Sequence, residues 1–114
     1  MKQSPYKLNG RIWIENSEEK LFGPGRVELL ERIQASGSIR QAALQMKMSY
    51  RQAWDMINHM NTKFKSPVVI AHRGGKGGGN AEVTPYALQA IQQFYEVQTQ
   101  FKAFLASVDD MLAF

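Results

Sequence analysis

Two helix-start signals eleven residues apart, Ser38-x-x-Gln41 and Ser49-x-x-Gln52, constrain this chain more than any other feature. Each has the form of a capping box, in which a hydroxyl and an amide side chain reciprocally satisfy the orphan N–H groups of a first helical turn. The spacing leaves room for one short helix, a tight turn and a longer second helix. Apolar periodicity agrees: Ile39, Ala42, Ala43 and Met46 follow the first signal, and Ala53, Ile57, Met60 and Phe64 the second, with Trp54 beside them. The predicted helices cover about residues 38–46 and 49–64, with Lys47 and Met48 as the turn. That is the layout of a helix-turn-helix. Its second helix presents Tyr50, Arg51 and Gln52 in the first turn, and Arg51, Asp55, Asn58 and Thr62 opposite the apolar stripe.

The flanks read as a small amount of β structure and two further helices. Alternation places Ile12 and Ile14 on one face of a strand, Arg11 and Trp13 on the other, with both tryptophans expected in packing roles. Residues 16–20 read as a turn, Leu21 and Phe22 as a short return strand, and Gly23-Pro24-Gly25 as a break. A helix over 26–35 carries Val27, Leu29, Leu30 and Ile33, and Gly37 suits its left-handed end. Beyond Pro67, residues 68–70 and 81–84 form the arms of a hairpin whose tip is basic and glycine-rich. Thr84-Pro85 opens the last helix, with threonine at the N-cap and proline at the first helical position. Three apolar rows follow at a seven-residue period: Phe94, Phe101, Val108; Val97, Phe104, Met111; and Ile91, Leu105, Leu112, the last interrupted by Gln98. This stripe is too wide to bury on one small domain. Continuous to Phe114, the helix would be ~45 Å long.

The fold expected is mainly α with a small β component: a winged helix-turn-helix over residues 1–84, with its helix-turn-helix at 38–64 and wing at 68–84, then a long C-terminal dimerisation helix over 85–114. The length of 114 residues suits one domain. The absence of cysteine excludes disulfides, thiolate zinc sites and cysteine nucleophiles. No apolar run approaches a membrane span, and the first ten residues lack the apolar segment of a signal peptide, so a cytoplasmic location is expected.

Charge is concentrated in the middle third. Residues 38–80 carry a net +6, against +1 before them and −3 after. A solvated basic surface would also look like this. On a helix-turn-helix with a basic wing, it is the electrostatic footprint of a protein that grips a phosphate backbone. The expected partner is double-stranded DNA. Arg51 and Gln52 have the chemistry to read guanine and adenine edges, and Tyr50 could meet a phosphate or a thymine methyl. Ser49 caps the helix and could also touch a phosphate. Arg40 and Asp55 complete the candidate set on the two helices, and Arg73 and Lys76 are the candidate backbone contacts of the wing.

Enzyme readings are thin. The glycine loop fails the G-x-x-x-x-G-K-[ST] test, since Lys76 precedes glycine and the segment after the loop is strand-like. His59 and His72 have neither a carboxylate partner nor metal spacing in the sequence, so structural histidines are expected. No catalytic, cofactor or metal site is expected. Two rival readings stand beside the DNA reader. One is an adaptor that docks another protein on the long apolar helix; the other is a small phosphate-ligand binder built on the glycine loop.

The order of elements resembles the N-terminal DNA-binding domain of the ModE family of molybdate-responsive transcriptional regulators, which is itself LysR-like. The residues that carry this are FGPGRVELL at 22–30, Gly37-Ser38-Ile39 with Ala42-Ala43, Met48-Ser49-Tyr50-Arg51-x-Ala53-Trp54, Asn61 and Phe64, the glycines at 74–79 around Lys76, and Thr84-Pro85. The resemblance spans roughly residues 10–105. It implies a homodimer held by helices flanking the reading head, with Ser49, Tyr50, Arg51 and Gln52 at the major groove of a pseudo-palindromic operator and the wing at the backbone. Two departures stand out. Lys47 occupies a turn position where the family often has glycine. The chain also stops at Phe114, where the family continues into oxyanion-binding domains, so a stand-alone reader is expected, with any sensor on a separate protein.

Overall fold

The computed structural model of the chain describes residues 4–72 and 80–114. The strands β1 (Ile14–Asn16) and β2 (Glu19–Phe22) form one antiparallel hairpin. Three helices follow: α1 (Pro24–Ser36), α2 (Ile39–Gln45) and α3 (Tyr50–Lys63). A second antiparallel pair, β3 (Val69–His72) and β4 (Asn80–Val83), is the wing, and α4 (Pro85–Val108) closes the fold before one 3-10 turn, Asp109–Met111. This is a winged helix-turn-helix with a long C-terminal helix, mainly α as the sequence implied.

Local chemistry explains the element ends. Gln41 N–H donates to Ser38 Oγ (3.1 Å), and Gln52 N–H donates to Ser49 Oγ (2.9 Å). Only this forward half of each expected box forms: no return bond from Gln41 or Gln52 is present among the described residues, and Ser38 N–H donates to Ser36 Oγ (3.2 Å) instead. Gly37 ends α1 at φ 71°, its N–H donating to Ile33 O (2.7 Å). At the end of α2, Met48 N–H donates to Ala43 O (3.0 Å) and Lys47 N–H to Leu44 O (3.1 Å). This is a Schellman motif, and its left-handed position holds Lys47 at φ 57° where glycine would be unstrained.

One core joins all the helices. Val27, Leu29, Leu30 and Ile33 of α1 meet Ile39, Ala42 and Ala43 of α2, Ala53, Ile57 and Met60 of α3, and Ala87, Ile91 and Phe94 of α4. Leu21 and Phe22 are adjacent in sequence yet both buried, because the register between β1 and β2 shifts there: Glu15 faces Lys20, while Ile14 faces Phe22. A bulge of this kind turns neighbouring side chains to one side. The shift also corrects the strand reading, since Ile12 reaches the core but Ile14 stays exposed. Trp13 is exposed too, not packed: Lys20 Nζ lies 4.1 Å from its ring centroid, and its Nε1–H donates to Glu15 (2.8 Å).

Two features differ from the sequence expectation at the far end. The helix α4 stops at Val108, making it ~36 Å long rather than ~45 Å. Asp109 and Asp110 would sit against the negative end of a continuing helix dipole, which disfavours extension. Asp109 instead accepts a hydrogen bond from Leu8 N–H (2.9 Å). The segment before β1 is an arm that runs antiparallel to α4. Ser4 Oγ donates to Leu112 O (2.7 Å), Tyr6 OH to Phe114 O (2.9 Å), and the Tyr6 and Phe114 rings meet edge to face at 5.5 Å. Gly10 lies so close to Phe101 that a Cβ there would come within 3.1 Å of the ring. Arm and helix together form a stalk. The molecule extends 63 × 28 × 22 Å with a radius of gyration of 17.7 Å, where a compact chain of this length has ~13 Å.

Candidate nucleic-acid interface

The candidate reading head is built from the top of α3 and the start of α2. Ser49 spends its hydroxyl on the cap, leaving Tyr50, Arg51 and Gln52 exposed in the first turn. Asp55 and Asn58 continue the same exposed face, while Ala53, Ile57 and Met60 are buried on the other side. Arg40 is exposed on α2, and its guanidinium carbon lies 4.7 Å from the centroid of the Tyr50 ring. Arg40, Ser49, Tyr50, Arg51, Gln52 and Asp55 are thus all exposed, and Arg40 meets Tyr50 across the two helices. Arg73 and Lys76 lie outside the described residues.

Trp54 is half-buried against the core, as expected, and its ring meets Tyr50 edge-on with centroids 6.3 Å apart. It links the first turn of α3 to the interior.

The wing strands are anchored from α3 by Asn61. Its Oδ1 accepts from Val68 N–H (2.7 Å) and its Nδ2 donates to Val69 O (3.2 Å), so one amide satisfies both backbone groups at the root of β3. Thr84 ties the other root: its Oγ1 donates to Pro67 O (2.7 Å), accepts from Ala87 N–H (3.1 Å), and its N–H donates to Val68 O (3.0 Å). Asn61 carries no chemistry that sequence spacing alone assigns; only the resemblance pointed to it.

A polar chain holds the other end of α3, and sequence reasoning missed it. Arg26 Nη1 donates to Leu21 O (2.9 Å) and to His59 Nδ1 (2.8 Å). With Nδ1 accepting, the ring proton sits on Nε2, which faces Glu19 at 3.6 Å. Glu19 in turn pairs with Lys63 at 3.1 Å. The hydrogen bond from Lys63 holds the Glu19 carboxyl below its ordinary range, and burial pushes the Arg26 guanidinium down from its own. His72 pairs with Glu82 across the wing at 3.2 Å. Both histidines therefore have carboxylate partners, contrary to the sequence reading, because those partners sit on strands that only the fold brings near. No group of three or more metal-ligating side chains gathers among the described residues, and none of the helices there is long and apolar enough to cross a membrane.

The stalk carries the largest apolar exposure. Val97, Phe104 and Met111 are 47%, 54% and 76% exposed, whereas Phe101, Leu105, Val108 and Leu112 are half-covered on the flank where the arm lies. Gln93, Gln100 and Ser107 alternate with the exposed row at spacings of four and three, so the strip carries no charge. At its inner end it opens into an apolar groove lined by Ile14, Phe22, Phe64, Ala90 and Val97.

No protein-family model matches the chain. Individual proteins do. The transcriptional regulator ModE of Yersinia pestis is 44% identical over 97 residues, which is 83% of this chain and 37% of the relative. The DNA-binding transcriptional dual regulator ModE of Escherichia coli K12 is 45% identical over 96 residues, 82% of this chain and 36% of the relative. The molybdenum transport protein ModE of Azotobacter vinelandii is 32% identical over 102 residues, 90% of this chain and 38% of the relative. This chain spans little more than a third of the length of these relatives, and over the stretch they share it belongs to the ModE family.

Proposed function

We propose that this chain is the DNA-reading head of a transcriptional regulator and acts as a homodimer on a pseudo-palindromic operator. The observation that carries the reading is the first turn of α3: a capped helix start presenting Arg51 and Gln52 to solvent beside Arg40, with the opposite face of the helix, Ala53, Ile57 and Met60, seated in the core. Long polar side chains there suit base edges of the major groove, and α2 lies where the first helix of a helix-turn-helix crosses the backbone. The wing, with Arg73 and Lys76, is assigned to the flanking phosphates. The names of the relatives, regulators rather than enzymes, support the same class.

The uncharged strip of Val97, Phe104 and Met111 supports a two-fold contact between stalks. Its four-three spacing is that of a coiled-coil seam, and a seam without charge meets its own copy without repulsion. The test is selection of bound duplexes from a random DNA pool, with the sedimentation mass of the complex. A palindromic consensus bound by two chains is expected. No enrichment over the starting pool would sink the DNA reading. A second reading, an adaptor that docks a different protein on the stalk, rests on the same exposed row, and a monomeric mass for the free chain together with failed selection would favour it.

A further inference from the structure

Tyr50 stands in the proposed reading turn, yet its ring is engaged by two partners. Trp54 meets it edge-on, with centroids 6.3 Å apart and planes at 82°, and Trp54 is itself packed on the core. The second partner is Arg40 of α2, whose guanidinium carbon is 4.7 Å from the Tyr50 centroid. No carboxylate lies within 4.0 Å of Arg40 among the described residues, so its charge is not neutralised by an ion pair.

We propose that Tyr50 is a positioning residue rather than a DNA contact: it is the shelf that holds Arg40 at the rim of the head, and Arg40 grips a backbone phosphate. The inference rests on the DNA-reading function above. Cation–π attraction over a ring engages the guanidinium through its charge rather than through its hydrogen bonds, and leaves N–H donors for phosphate oxygens. A long, flexible side chain held this way loses less freedom on binding than one that samples solvent. The two residues come from the two helices of the motif, so the contact also fixes the phosphate grip of α2 relative to the reading turn of α3. Backbone contacts of this kind set register without reading sequence.

The experiment has one arm on the free protein and one on DNA. In the free protein, 15N relaxation of the Arg40 Nε–H reports whether the side chain is held. It is expected to be ordered in wild type and Tyr50→Phe, and mobile in Tyr50→Leu. Equal mobility in all three would overturn the shelf whether or not the chain binds DNA. On the selected operator and on unrelated duplexes, Tyr50→Leu and Arg40→Ala are each expected to weaken binding three- to tenfold, alike on every sequence. Tyr50→Phe should bind as wild type, and the Arg40→Ala, Tyr50→Leu double variant no worse than Arg40→Ala alone. Additive losses, or a Tyr50→Phe variant as weak as Tyr50→Leu, would make Tyr50 a DNA contact in its own right and overturn the proposal. Wild type that binds no duplex would instead overturn the DNA reading, with the relaxation arm still deciding the shelf. Melting curves of each variant separate these outcomes from loss of fold.

Discussion

Arg51 and Gln52 leave α3 on its solvent side, in the turn that Ser49 caps. In the proposed interface a side chain placed there would act on specificity, whereas a wing side chain would act on overall affinity. Arg51→Ala is expected to cost about 1–3 kcal/mol at one base pair and to relax the preference there, as measured by titrating duplexes with single substitutions; equal weakening on every sequence would make Arg51 a phosphate contact. Lys76→Ala is expected to weaken all duplexes alike and to flatten the slope of log affinity against log salt by about one unit. An unchanged slope would remove the wing from the interface. Lys47 poses a different question, one of backbone strain. It takes the left-handed position of a Schellman motif at φ 57°, where a Cβ is disfavoured. Lys47→Gly is expected to stabilise the fold by about 0.5–1 kcal/mol, a rise of a few degrees in melting temperature. A lower melting point would mean that the lysine side chain contributes more than its backbone costs. Most of these residues were legible in advance, because a cap, a turn and an exposed helical face each depend on neighbours within a few positions.

The elements are joined by side chains that the sequence does not advertise. α3 is held to the wing by Asn61 and to the first hairpin by Arg26, His59, Glu19 and Lys63. The Glu19 carboxyl is held low first by the hydrogen bond from Lys63 and next by its charge. A depressed folded-state value means that stability from the ionised group is present above the ordinary carboxylate range and is lost as pH falls through the depressed value. Glu19→Gln should therefore be less stable than wild type near neutrality, with the gap closing in acid. Urea midpoints of the two proteins at neutral and acid pH check this, and a gap that stays constant would show that the charge of Glu19 adds nothing. The pairing was invisible to spacing rules because Glu19 and His59 are brought together by β2 packing on α3. The bulge that buries both Leu21 and Phe22 was invisible too, since strict alternation assigns neighbours to opposite faces.

At the scale of the molecule, a packed head carries a stalk made of the outer half of α4 and the arm beside it. The stalk has one flank half-covered by the arm and one strip open. Phe104 lies at the middle of the open row. Phe104→Glu is expected to shift sedimentation from dimer to monomer, weakening association by at least about tenfold, as loss of a buried aromatic and gain of a paired like charge would do. An unchanged dimer would put the two-fold elsewhere. The sequence by itself determined the caps at Ser38, Ser49 and Thr84, the left-handed end at Gly37, the buried stripes of α1 to α3 and the exposed first turn of α3. All of these follow from hydrogen bonds and periodicities that close within one or two helical turns. Only the tertiary structure decided where α4 stops, which of its three apolar rows is left open and what holds the ends of α3. Those outcomes join residues far apart in the chain, such as Leu8 to Asp109 and Arg26 to His59. Which distant groups meet depends on the path of the whole backbone, and no local pattern encodes that path.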